Sequence, residues 1–79
     1  MKLRVFVSFR KGILDPEAEA IKKTILNMGH KSIISLSKGS FFDIEVRKSE
    51  KNAKKIIKEI TQEILSNPII ENFKIDVVD

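Results

Sequence analysis

Asp43 and Glu45 stand two residues apart in an alternating stretch, so both carboxylates fall on one face of a strand, as an acid and base couple would require. Arg47 continues that face, and solvated cross-strand ion pairing is the simpler use of the three side chains. His30 is the single histidine. It follows Gly29 with no carboxylate, serine or second histidine at a useful spacing, which makes it a loop residue rather than a general base or metal ligand. Lys51, Lys54, Lys55 and Lys58 form a basic stripe that could contact phosphate. Glu50, Glu59 and Glu63 interrupt it, and the chain has no tyrosine or tryptophan to stack on a base. A solvated helix surface and no nucleic-acid partner are therefore expected. Lys38-Gly39-Ser40 is a short turn that lacks the glycine spacing and following helix of a phosphate loop. Without cysteine, disulfides and thiolate metal sites are excluded. These residue types predict no catalytic, metal or cofactor site in the chain.

The 79 residues carry a formal charge of +4 and are expected to form one domain over residues 1–79. A domain this small buries only about 60–65% of the surface its unfolded chain exposes, so assembly with copies of itself or with a larger partner is expected to add stability. Met1-Lys2-Leu3-Arg4 alternates charge with apolar side chains, unlike a signal peptide. No window approaches the roughly 20 apolar residues of a membrane span, so a soluble, cytoplasmic chain without membrane contact is expected.

The elements follow from periodicity. Leu3, Val5, Val7 and Phe9 alternate with polar residues in a first strand, with Phe6 on the opposite side. Asp15 is placed to cap a helix whose first turn holds Pro16, and Ala18, Ile21, Ile25 and Met28 share one face of that helix up to the terminator Gly29. A second strand is predicted from Ser32 to Ser37, with Ile34 and Leu36 on one side and Ile33 on the other. A hairpin turn at Lys38-Gly39 would lead to a third strand, Phe41 to Arg47, with Phe42, Ile44 and Val46 inward and Phe41 outward. Ser49 would cap a second helix running to about Leu65, with Ala53, Ile56, Ile57, Ile60 and Ile64 buried. Asn67-Pro68 ends that helix, and Phe73, Ile75 and Val77 alternate with Lys74, Asp76 and Val78 in a last strand. The fold class is thus α+β: a two-layer, ferredoxin-like β-α-β-β-α-β arrangement with a four-stranded, mostly antiparallel sheet and two helices on one face.

Helices on one face leave Phe6, Ile33 and Phe41 on the other, where they predict self-association, with Arg4, Asp43, Glu45 and Arg47 as polar surroundings. Two further function classes fit the same fold. One is a regulatory module that binds a small effector between paired domains; the other is a small RNA-binding domain using Phe6 and Phe41.

Three phrases carry a more specific resemblance: Ile13-Leu14-Asp15-Pro16 at the start of the first helix, Gly39 between the central strands, and Leu65-Ser66-Asn67-Pro68-Ile69-Ile70-Glu71-Asn72-Phe73 before the last strand. With these, over essentially its whole length, the chain resembles the PurS family, the small subunits of phosphoribosylformylglycinamidine synthase. It departs from the family at Ala18 and Ser40, where glycine and lysine are usual, with Lys38 as the available substitute for the latter. The resemblance implies a non-catalytic subunit in de novo purine biosynthesis, part of a glutamine-dependent, ATP-consuming ligase. Such subunits pair with each other as dimers or tetramers, hold a glutaminase subunit and a large synthetase subunit together, and assist ammonia transfer between them. ATP and Mg would be used by the synthetase, with no cofactor on this chain. Leu14, Asp15, Pro16, Lys38, Gly39, Asn67, Pro68, Ile70 and Glu71 are the implied partner contacts.

Overall fold

The computed structural model describes residues 1–78; Asp79, the end of the expected domain, lies outside them. Strand β1 (Lys2–Phe9) is central, flanked by β2 (Gly39–Glu45) and β3 (Glu71–Val77), both antiparallel to it, in the order β2-β1-β3. Alternation along β1 decides which side is core. Leu3 lies opposite Ile44 and Val77, Val5 opposite Phe42 and Ile75, and Val7 opposite Ser40 and Phe73, so apolar residues of three strands gather on one face.

Helix α2 (Ala53–Ile60) covers that face. Ala53 and Ile57 pack against Leu3, Val5 and Val7, with Ile44, Val46, Ile60, Leu65, Phe73 and Ile75 around them. The helix starts at Ala53 with Asn52 as its cap residue, and the expected Ser49 cap is not formed. A turn closed by the Glu50 N–H to Arg47 carbonyl bond (3.0 Å) occupies that stretch instead. Beyond Ile60 the chain widens into a π-helical turn, Thr61–Leu65, closed by the Ser66 N–H to Thr61 carbonyl bond of 2.9 Å. The extra residue delays the inward face by one position. Leu65 therefore turns toward the core while Ile64, expected inside, is 75% exposed, and Ile56 also lies at the surface. Thr61 takes the buried place, its hydroxyl satisfied by the Ile57 carbonyl at 2.7 Å.

Helix α1 (Pro16–Asn27) forms as its sequence dictates. The Asp15 carboxylate accepts from the Glu17 and Ala18 amides at 3.0 and 3.3 Å, Pro16 sits in the first turn, and Gly29 follows with a positive φ of 101°. Its packing is slight, however: Ala18 is buried, but Ile21 and Met28 on the same face are exposed.

The sheet has three strands where four are predicted, because residues 32–38 pair with no strand among the described residues. Alternation prepares a segment for pairing, but a strand exists only against an edge that takes its backbone groups. Ile34 stands 88% exposed on this segment, which runs directly into β2 without the expected Lys38-Gly39 hairpin. Gly39 has no positive φ; a Cβ there would lie 2.6 Å from the Val7 carbonyl oxygen, so glycine serves close approach to β1 rather than a turn. The outcome is an elongated molecule of 53 × 27 × 14 Å with a radius of gyration of 16.2 Å. A compact chain of this length would have about 12 Å.

Candidate interaction surfaces

Three regions hold the residues singled out above. At the start of α1, the Lys38 ammonium reaches back to Glu17 at 2.9 Å and to Asp15 at 3.9 Å. The hydrogen bond to Glu17 raises the Lys38 pKa above its ordinary value; desolvation opposes it, and the attraction of the Glu17 and Asp15 carboxylates adds to the rise. Asp15 and Lys38 thus meet at the rim of an open cleft of about 420 Å³ between the end of β1 and α1, with Pro16 beside Asp15 in the first turn of α1 and not among the lining residues. Leu14 projects from its edge, 69% exposed.

The second region is the corner between α2 and β3, and it is tightly cross-braced. Arg10, at the end of β1, donates from Nε and Nη2 to the Pro68 carbonyl at 3.1 and 2.7 Å, while its backbone N–H donates to Ile70 at 2.8 Å. Asn67 accepts the amides of Ile70 and Glu71 on its carbonyl (3.1 and 2.8 Å) and that of Ile69 on Oδ1 (3.1 Å). The Glu71 carboxylate accepts the Asn67 amide at 2.7 Å. Asn67, Pro68, Ile70 and Glu71 are thereby brought together, with Glu71 closing the loop through its own side chain. The side chain presented outward is Ile69, 82% exposed. Sequence reasoning missed Ile69 and Arg10. Arg10 has no local signal because its acceptor lies 58 residues away; Ile69 could have been found as the apolar residue directly after a helix-ending proline.

The third region is the sheet face that α2 leaves open. Phe6 lies opposite Phe41 with ring centroids 6.3 Å apart, and the Arg4 guanidinium sits 4.5 Å from the Phe41 centroid. Arg4 also makes a two-pronged bond to Asp43 at 2.7 and 3.0 Å. That hydrogen bond and the guanidinium charge hold the Asp43 carboxyl below its usual range, despite some desolvation. Asp43 is consequently an ion-pair partner for arginine, not half of an acid and base couple with Glu45, which lies opposite Lys2. Ile33 belongs to the unpaired segment and is not on this sheet.

No group of three or more His, Cys, Asp or Glu side chains among the described residues could hold a metal ion, and no helix is long and apolar enough to cross a membrane. His30 is exposed at the end of α1. What the three regions offer is recognition: apolar projections on braced turns, and a charged and aromatic sheet face.

The chain also has relatives among known proteins. The chain matches the family model "PurS: Phosphoribosylformylglycinamidine (FGAM) synthase" over residues 2–79. The phosphoribosylformylglycinamidine synthase subunit PurS of Archaeoglobus fulgidus is 31% identical over 72 residues, which are 90% of this chain and 90% of that protein. Among solved structures, PurS of Methanocaldococcus jannaschii, one of the subunits of formylglycinamide ribonucleotide amidotransferase, is 26% identical with a TM-score of 0.85, over 99% of this chain and 95% of that one. A chain in the structure of PurLQS from Thermotoga maritima is likewise 26% identical with a TM-score of 0.85, over 98% and 95% of the two chains.

Proposed function

The chain belongs to the PurS family of FGAM synthase subunits, and from that premise we propose that it is the small, non-catalytic subunit of this synthase in cytoplasmic purine biosynthesis. In this role it holds a glutaminase subunit and an ATP- and Mg-using synthetase subunit together and assists ammonia transfer between them. The observation that carries the reading is the family match along nearly the whole chain; the relative in PurLQS supports it, since that protein is solved within an assembly.

The architecture fits a component that is completed by neighbours. Six apolar side chains are buried, Leu3, Val5, Val7, Ala18, Ala53 and Ile57, while fifteen large apolar ones are exposed among the described residues, so much of the apolar surface is left for partners. Leu14 beside Asp15, Pro16 and Lys38, and the corner from Asn67 to Glu71 with Ile69 at its tip, suit docking to the larger subunits as apolar anchors on preorganised backbone. In this reading Glu71 acts by bracing the corner rather than by touching a partner itself. Residues 32–38 would become the fourth strand of the ferredoxin-like sheet by pairing with the sheet edge of a second copy, which would use their unpaired backbone groups and cover Ile34.

The test is to recover the chain from extracts of its own cells and identify its companions. A glutaminase and an ATP-dependent synthetase are expected, and adding the chain to those two should raise glutamine-dependent amidine formation without changing ammonia-dependent formation. Stoichiometric recovery of neither subunit, or equal glutamine-dependent rates with and without the chain, would sink the proposal. Ile34→Asp should lower the oligomeric state in sedimentation; an unchanged state would exclude the fourth strand from self-association.

A further inference from the structure

The end of α2 departs from the helix its sequence could have continued. A π turn is rare and has poorer hydrogen-bond geometry than the α-helix it replaces. Here the closing carbonyl, that of Thr61, accepts both donors of Ser66, the amide and the hydroxyl, each at 2.9 Å. Thr61 itself fills a fully buried place with a polar side chain. Without the widened turn Ile64, seven residues after Ile57, would extend the buried stripe. Instead Leu65 packs against the core and Ile64 stands 75% exposed. The core gains little by exchanging isoleucine for its isomer leucine, so the benefit lies on the outer side.

We infer that Ile64 is a second docking anchor beside Ile69, and that one apolar pocket with a basic rim, on one of the larger subunits, receives both; this rests on the synthase role proposed above. The two side chains flank the corner between α2 and β3, five residues apart in the chain. Each is mounted on backbone fixed by its own bonds. Ile64 stands inside the turn that Ser66 closes on Thr61. Ile69 is held by the bond from its amide to Asn67 Oδ1 (3.1 Å) and by the Arg10 guanidinium on the neighbouring Pro68 carbonyl (2.7 Å). Anchors that need no ordering on contact keep more of the free energy of their burial.

Charge and area decide what kind of surface fits. Residues 61–73 include Glu63 and Glu71 but no lysine or arginine, although the chain as a whole carries a formal +4. Glu71 is turned to the Asn67 amide, and Arg10, the basic group that reaches the corner, is turned to Pro68. Glu63, beside Ile64 and exposed, is left facing outward, so a basic rim complements the corner. The same corner of another copy does not. It would set Glu63 toward its own counterpart across the two-fold axis. Two isoleucines on each side also fall far short of the roughly 1,200 Å² that a stable interface buries. A concave pocket on a larger chain encloses the same two side chains much more fully.

Titrating the chain onto the glutaminase and onto the synthetase in turn tests this, with the urea midpoint and the sedimentation mass recorded for every variant. Ile64→Ala and Ile69→Ala should each weaken binding to the same one of the two subunits about tenfold, and Ile64→Asp should weaken it further. Affinity for the other subunit, the urea midpoint and the mass should not change. Ile64→Leu should bind within about twofold of the wild type, as an apolar anchor of equal volume. Glu63→Lys should weaken binding at low salt and less so at high salt, whereas Gln62→Asp should not weaken it. Ile64→Ala and Ile64→Asp binding as the wild type does, Ile64 and Ile69 acting on different subunits, a loss that follows the midpoint or the mass, or Gln62→Asp weakening binding as much as Ile64→Asp would each overturn the inference while the synthase role stands. A wild type that binds neither subunit removes that role and the inference with it.

Discussion

Substituting Gly39 separates two explanations of the same residue. If Gly39 were a turn glycine, Asn would be the best replacement and Ala a poor one, because Asn tolerates positive φ. The structure places Gly39 at the start of β2 without positive φ, where a Cβ would fall 2.6 Å from the Val7 carbonyl oxygen and 3.2 Å from the Ser8 Cβ. The first of these is backbone and cannot swing aside, so β2 must draw away from β1 at that end of the ladder. Gly39→Ala is therefore expected to cost about 1–3 kcal/mol, the range for forced overpacking. Gly39→Asn adds further atoms at the same place and should cost at least as much. A chain of this length has a total stability of roughly 4–12 kcal/mol. With a urea dependence of about 1 kcal/mol per molar, the midpoint should fall by about 1–3 M for Ala and no less for Asn, at matched protein concentration. Asn restoring stability relative to Ala, or Ala shifting the midpoint by less than about 0.3 M, would refute the close-approach argument.

Ile57→Ala should destabilise by about 2–5 kcal/mol in the same unfolding assay, since Ile57 is 1% exposed and joins α2 to Leu3, Val5 and Val7; the equivalent change at Ile64 should have little effect on a single copy. Arg10→Ala should cost about 1 kcal/mol and speed amide exchange at Ile69, Ile70 and Glu71, because two side-chain bonds to Pro68 are lost while the backbone bond to Ile70 stays. Asp43 has a folded pKa lowered by Arg4, so its stabilising contribution is present above the unfolded carboxylate range near ~4 and is lost as pH falls through the lower folded value. The melting-temperature gap between wild type and Asp43→Asn should then be widest near neutral pH, close below about pH 4, and shrink in high salt.

The elements written by local chemistry were legible in the sequence. Asp15, Pro16 and Gly29 set the ends of α1 through their own backbone preferences, and the alternation of Leu3, Val5 and Val7 and of Phe73, Ile75 and Val77 marked β1 and β3. The family phrases were legible for the same reason, being contiguous. What escaped depended on partners distant in the chain. Ile34 and Leu36 alternate as a strand would, but no edge within one copy receives them. The π turn shifts Ile64 outward through a bond between Ser66 and Thr61 that apolar periodicity does not record. The bond from the Asn67 amide to the Glu71 carboxylate has no periodic signature, and the turn expected at Gly39 gives way to a reason that lies across the sheet in Val7.

The backbone spans only 14 Å in its thinnest direction. That depth admits one sheet, one helix and a single shared layer of side chains, which is too shallow to seal a tube around a diffusing solute. Anything small handed past this polypeptide would have to travel along a seam whose opposite wall another molecule supplies, so such a conduit would exist only while the pieces are clasped.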